Sequence, residues 1–167
     1  GAYRFDALKS DKDKKGKLTL SVDVKNTDVF VDEKLSFDVT ANDACELQIF
    51  YVEADGNVEV IPQEMIGEKF LQANKARRIP DPATGDLVFD TPAENETLLL
   101  FCRTGGLGDQ RLSAADAKKL ADKSKQPPSR GLAIQLFEKA KAEEKKDASL
   151  KGISEIHMVT FHVKEPK

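Results

Sequence analysis

The stretch KLSFDVTANDACELQIFYVEADGNVEVIP, residues 34–62, decides the fold. Leu35, Phe37 and Val39 alternate with Ser36, Asp38 and Thr40, the period of two that marks a half-buried strand. Ala41-Asn42-Asp43-Ala44 breaks that run with turn formers. Cys45, Leu47, Ile49 and Tyr51 then share one face, while Phe50 and Val52 add apolar groups to the other. A strand apolar on both faces is central in its sheet or covered on its second side. Asp55-Gly56 supplies the positive φ of a hairpin turn, Val58 and Val60 form the return strand, and Pro62 ends it because proline has no N–H for the ladder. The pattern predicts a meander at the heart of a mainly β fold, an antiparallel β-sandwich of immunoglobulin-like or related type.

Working outward, Leu18, Leu20, Val22 and Val24 alternate with polar residues and predict a first strand. Residues 1–16 are polar and charged and read as a loosely held lead-in, leaving 17–167 as one domain. Val29-Phe30-Val31 is a short apolar step. Met65, Ile66, Phe70 and Leu71 are expected to cover a sheet edge, and Ala76 to Pro82 to form an extended edge piece, since residues before proline avoid the helical region. Leu87-Val88-Phe89 reads as a strand, Glu94-Asn95-Glu96 as a polar connection, and Leu98-Leu99-Leu100-Phe101-Cys102 as a buried central strand.

After that strand the period changes to the helical one. Ser113 with Asp116 resembles a capping box and opens a helix to about Lys123. Gln126-Pro127-Pro128-Ser129 is a break. From Gly131, Leu132, Ala133, Leu136, Phe137 and Ala140 recur at helical spacing, so a second helix runs to about Lys145 with its apolar stripe on the sheet. The two helices form an insertion, about 112–146, before a last strand in which Val159, Phe161 and Val163 alternate with Met158, Thr160 and His162.

Charge is unevenly placed. Residues 18–106 hold 17 acidic and 7 basic side chains, while both flanks are mildly basic. An acidic sheet region argues against nucleic acid, whose backbone needs clustered Lys and Arg. No apolar run is long enough for a membrane-spanning helix. The chain begins Gly1-Ala2 without methionine, as a processed or tagged piece of a longer protein would, and no signal peptide is present in it.

Motifs that would carry chemistry are sparse. His157 and His162 differ by five positions, which on one strand puts them on opposite faces unless a bulge intervenes. No Ser-His-Asp, G-x-S-x-G or H-E-x-x-H pattern occurs, so no catalytic residue and no metal ligand is assigned and no cofactor is expected. Cys45 and Cys102 lie outside any C-x-x-C pair. They read either as two buried small hydrophobes or as a disulfide stapling two strands, the latter implying an oxidising compartment. Candidate ligand-binding residues are the adjacent Arg77 and Arg78, able to grip a carboxylate or phosphate, and the turn residues Asn42, Asp43, Asp55 and Asn57, with the Gly105-Gly106 loop beside them.

Val31 to Phe37, Leu47 to Val58 and Ile61-Pro62, together with Ile79-Pro80 and the strand from Leu98 to Phe101, resemble the bacterial "domain of unknown function 4384". The resemblance covers roughly residues 25–105. Cys45-Glu46 stands where the family often has an aromatic residue. The resemblance implies an accessory, non-catalytic module of a larger, exported protein of the periplasm or cell envelope, with a protein or parent-protein domain as its partner. It brings no catalytic residues with it. Two other readings stand beside it: a sandwich that binds a small glycan or peptide through its loops, and a hydrolase with paired carboxylates. No motif specifies an oligomeric state.

Overall fold

The computed structural model describes residues 2–3, 18–146 and 152–166. Its strands are β1 (Ala2–Tyr3), β2 (Leu20–Val24), β3 (Asp28–Phe30), β4 (Phe37–Ala41), β5 (Cys45–Val52), β6 (Val58–Val60), β7 (Phe70–Leu71), β8 (Arg77–Ile79), β9 (Ala93–Arg103) and β10 (Ser154–Lys164). A helical turn spans Gln63–Ile66, and the helices α1 (Ala114–Asp122) and α2 (Pro128–Lys146) lie between β9 and β10. The larger sheet runs β1-β10-β9-β5-β6, with β3 also paired to β10 and β7 to β5; the smaller runs β2-β4-β8. The fold is mainly β, with two open sheets facing across a shared core, as the alternation predicts.

That core draws Leu20, Phe37, Val39, Ala41 and Ile79 from the small sheet and Leu47, Ile49, Leu98, Leu100 and Phe161 from the large one. A second core lies on the other side of the large sheet. There Phe50, Val52, Leu99, Phe101, Ile156 and Met158 meet Ala117, Ala121, Leu132, Leu136 and Ala140 of the helices. The helical insertion is thus a third layer, and it accounts for the apolar residues on both faces of β5 and β9: each face has its own cover.

The meander expected over residues 34–62 is corrected. β4 pairs with β2 and β8, whereas β5 pairs with β9, β6 and β7. The break at Ala41–Ala44 carries the chain from one sheet to the other. A hairpin would keep Phe37, Val39 and Ala41 in the same sheet as Cys45, Leu47 and Ile49. The crossing instead sets these two apolar rows against each other, and all six are buried. Only β5 and β6 form a true hairpin, with Gly56 at φ 98 as expected of its turn.

Four smaller expectations also change. Leu87–Phe89 forms no ladder; Leu35 N–H donates to Leu87 O at 2.8 Å and Asp32 N–H to Phe89 O at 2.9 Å, and the left-handed Asp32 (φ 65) turns the chain away between them. Glu94–Glu96 is part of β9, because pairing with β10 continues past the apolar run to Ala93. Val29 lies in a strand that pairs in parallel with β10, His162 opposite Asp28. In the lead-in, Ala2 and Tyr3 pair with Val159 and Met158; the rest of that stretch lies outside the described residues.

α1 starts where the sequence places it. Ser113 is its N-cap, its Oγ accepting from Asp116 N–H at 3.1 Å. Ser113→Ala is expected to lower unfolding stability by about 1 kcal/mol, read as a shift of the urea midpoint at unchanged slope. α2 begins at Pro128, earlier than Gly131, since proline is well suited to the first helical position. Cys45 and Cys102 form a disulfide between neighbouring strands β5 and β9, both side chains fully buried. The open choice between two thiols and a bond is settled by the register, which sets Leu47 opposite Cys102 and so brings Cys45 diagonally beside it.

Candidate functional site

The candidate residues fall at four separate places. Arg77 and Arg78, as neighbours on a strand, project to opposite faces and do not form one grip. Arg77 donates to the carbonyls of Ile66, Glu68 and Phe70, closing the loop that follows the helical turn. Arg78 forms a two-pronged bond with Asp38, Nε at 2.7 Å and Nη2 at 3.1 Å, on the exposed face of the small sheet. That hydrogen bond holds the Asp38 carboxyl below its usual value.

Asn42 and Asp43 sit in the crossing between sheets. Asn42 Oδ1 accepts from Thr19 N–H at 2.7 Å and Asp43 Oδ1 from Ala44 N–H at 2.8 Å. Asp55 and Asn57 lie at the other end of β5. Asp55 Oδ1 accepts from Asn57 N–H at 2.9 Å, and the Asn57 amide donates to Glu53. α1 reaches the same turn, Lys118 Nζ donating to Gly56 O at 3.2 Å. These four polar side chains shape their own turns, and the two turns stand at opposite ends of β5.

Acids gather at the Asp55 end. A cleft of about 440 Å³ is lined by Tyr51, Glu53, Glu59, Asp86 and Asp90 among others. Behind it Glu96 is 4% exposed, hydrogen-bonded to Tyr51, with Oε2 buried and unpaired. Burial raises the Glu96 carboxyl above its ordinary value, the Tyr51 bond opposes the shift, and Glu53, Asp55 and Asp90 add to it. Burial likewise raises the Tyr51 phenol, with the Glu96 bond next in weight. Since the folded state holds the Glu96 proton to higher pH than the unfolded chain does, stability falls as pH rises between the unfolded and folded values of that carboxyl. Glu96→Gln removes that fall. In thermal melts from about pH 4 to about pH 8, its advantage over the parent chain is expected to grow with pH.

The Gly105-Gly106 loop was a candidate from sequence, but the groups that moor it and the cavity beside it were not. Outward-facing Glu46 and Gln48 on β5 moor the loop that follows β9. Glu46 Oε1 accepts from Leu107 N–H at 3.1 Å, and its Oε2 from Arg111 Nε at 3.0 Å and Nη2 at 2.8 Å. The Gln48 amide donates to Leu112 O at 2.7 Å and accepts from Leu112 N–H at 3.1 Å, replacing a strand partner. Gly105 and Gly106 take φ 76 and 97, turning the loop back over the sheet. Between this loop and α2 lies a cavity of about 290 Å³ lined by Arg103, Gly106, Gln110, Lys139 and Glu143 among others. Arg103 and Gln110 are 6% and 5% exposed, and among the described residues Arg103 Nε and Gln110 Oε1 have no hydrogen-bond partner. The available signal was the polar pair at Glu46 and Gln48 beside apolar Phe50 and Val52 on one face: a polar cover over one end of the strand and an apolar one over the other.

His157 and His162 are not brought together as a pair. A register irregularity falls between Phe161 and Val163, His162 N–H donates to Thr27 O at 2.8 Å, and His162 Nδ1 lies 3.3 Å from Asp28 Oδ1 on the surface. No cluster of three His, Cys, Asp or Glu able to hold a metal occurs among the described residues, and no described helix is long and apolar enough to cross a membrane. Residues 28–104 match the family described as domain of unknown function (DUF4384), the one the strand and turn pattern resembles. No curated protein and no solved structure matches the chain.

Proposed function

We propose that this chain, a DUF4384-family domain over residues 28–104, is a non-catalytic binding module of a larger, exported bacterial protein. The observation that carries the reading is the cavity beside the 104–110 loop. Two side chains more than nine-tenths buried, Arg103 and Gln110, line it with hydrogen-bonding atoms unspent. A guanidinium stays protonated throughout the physiological range and an amide does not titrate, so the pair recognises groups and offers neither a nucleophile nor a base.

The buried Cys45–Cys102 disulfide supports export, since such bonds persist in oxidising compartments. Chain recovered from its native cells should resist alkylation until unfolded and reduced; thiols that label on unfolding alone would argue for a reducing compartment. The binding reading is tested on purified chain with a panel of peptides, glycans, amino acids and phosphoesters, following thermal midpoint and product together. A saturable stabilisation without product is expected. Turnover that vanishes in Glu96→Gln would replace this reading with a hydrolase working from the acidic cleft.

A further inference from the structure

β9 ends at Arg103, where the 290 Å³ cavity opens between the exit loop and α2. Arg103 is more than nine-tenths buried; its Nη1 donates to Gly106 O at 2.9 Å, while its Nε has no partner among the described residues. A guanidinium carries five N–H groups, and a buried charge is costly unless it is paired. Glu46 stands directly opposite Arg103 in register, but its oxygens are taken by Leu107 N–H and Arg111. On the other neighbouring strand the partner position is Ser154, whose Oγ is itself buried and has no partner among the described residues. Gly152 admits the guanidinium: a Cβ there would fall 2.1 Å from Arg103 Cζ. Gln110 enters the same cavity from the loop with Oε1 unpaired, and α2 adds one charge of each sign, Lys139 and Glu143.

The geometry points to a binding site for a small zwitterion, an α-amino acid or a dipeptide, its carboxylate received by Arg103 and Lys139 and its ammonium by Gln110 and Glu143. The assignment rests on the reading of the chain as a binding module and names its ligand. Both signs of charge are present, so an anion alone, such as phosphate, would meet the carboxylates of Asp109 and Glu143. A neutral sugar would leave the buried cation unpaired. The volume falls at the small end of the roughly 300–1,000 Å³ usual for ligand pockets, which suits one or two residues.

The experiment titrates the whole chain with L-alanine, L-glutamate, L-lysine and L-alanyl-L-alanine, with inorganic phosphate and glucose as comparisons. Thermal midpoint and amide NMR shifts are followed. At least one zwitterion should raise the midpoint saturably and move the amides of Gly105, Gly106 and Gly108. Lys139→Glu, a substitution on the helix surface that leaves the core untouched, should weaken that binding by about ten- to a hundredfold. Arg103→Gln should weaken it at least as much, and Arg78→Ala should leave it unchanged. Three results would overturn the assignment: no midpoint shift with any zwitterion at about 10 mM, an equal shift with phosphate, or unchanged affinity in Lys139→Glu. A glycan or longer peptide bound equally well by the parent and Lys139→Glu would remove this site while leaving the binding-module reading intact. Turnover of a zwitterion whose affinity Lys139→Glu reduces would do the reverse.

Discussion

Phe50→Ala should lower unfolding stability by about 3–5 kcal/mol, the usual cost of emptying a fully buried aromatic site. Phe50 has no exposed surface and lies on the outer face of β5, in the core shared with Leu132 and Leu136 of α2. Removing the ring leaves a cavity between sheet and helix that the paired strands cannot close by moving, because β5 is held by β9 on one side and β6 on the other. The natural control is Phe30→Ala. Phe30 is 42% exposed, so its loss should shift stability by less than about 0.5 kcal/mol. Urea unfolding of both variants measures the difference directly. A small effect at Phe50 would mean that the helical layer does not seal the sheet.

The second large effect concerns the covalent link. Replacing Cys45 and Cys102 together with alanine should cost about 4 kcal/mol, the loop-closure entropy expected for a bond across 57 residues. For a domain of this size each kcal/mol moves the thermal midpoint by about 2–4 °C, so the midpoint should fall by about 8–16 °C. Both sulfurs lie between the sheets, so unfolding should be needed before a reductant can act on the bond. Kinetics of reduction with and without urea check this. Reduction as fast in buffer as in denaturant would contradict the burial of the pair.

Several features were legible because they depend on neighbours in the chain. The alternation of Leu35, Phe37 and Val39, the Asp55-Gly56 turn and the Ser113–Asp116 cap each follow from dihedral preferences within a few residues, and each appears where the pattern places it. Leu87–Phe89 had the composition of a strand but not its partner. With Asp32 left-handed opposite it, two hydrogen bonds form and the ladder stops. Arg77 and Arg78 had the chemistry of an anion grip, but the strand they occupy sends them to opposite faces and the fold engages each separately.

The sequence by itself determined that residues 34–62 build strands, that the strand from Cys45 to Val52 carries apolar groups on both faces, and that the amphipathic run after Gly131 lays its stripe on the sheet. Period and burial are local consequences of where apolar side chains fall. Tertiary structure alone decided which strands share a sheet, whether Cys45 would find Cys102, and where polar groups from distant segments meet. Arg103, Gln110, Ser154 and Lys139 converge because β9 ends beside β10 while the loop folds back under α2. That convergence is set by register and by the path of the chain between elements, quantities that no short stretch of sequence contains.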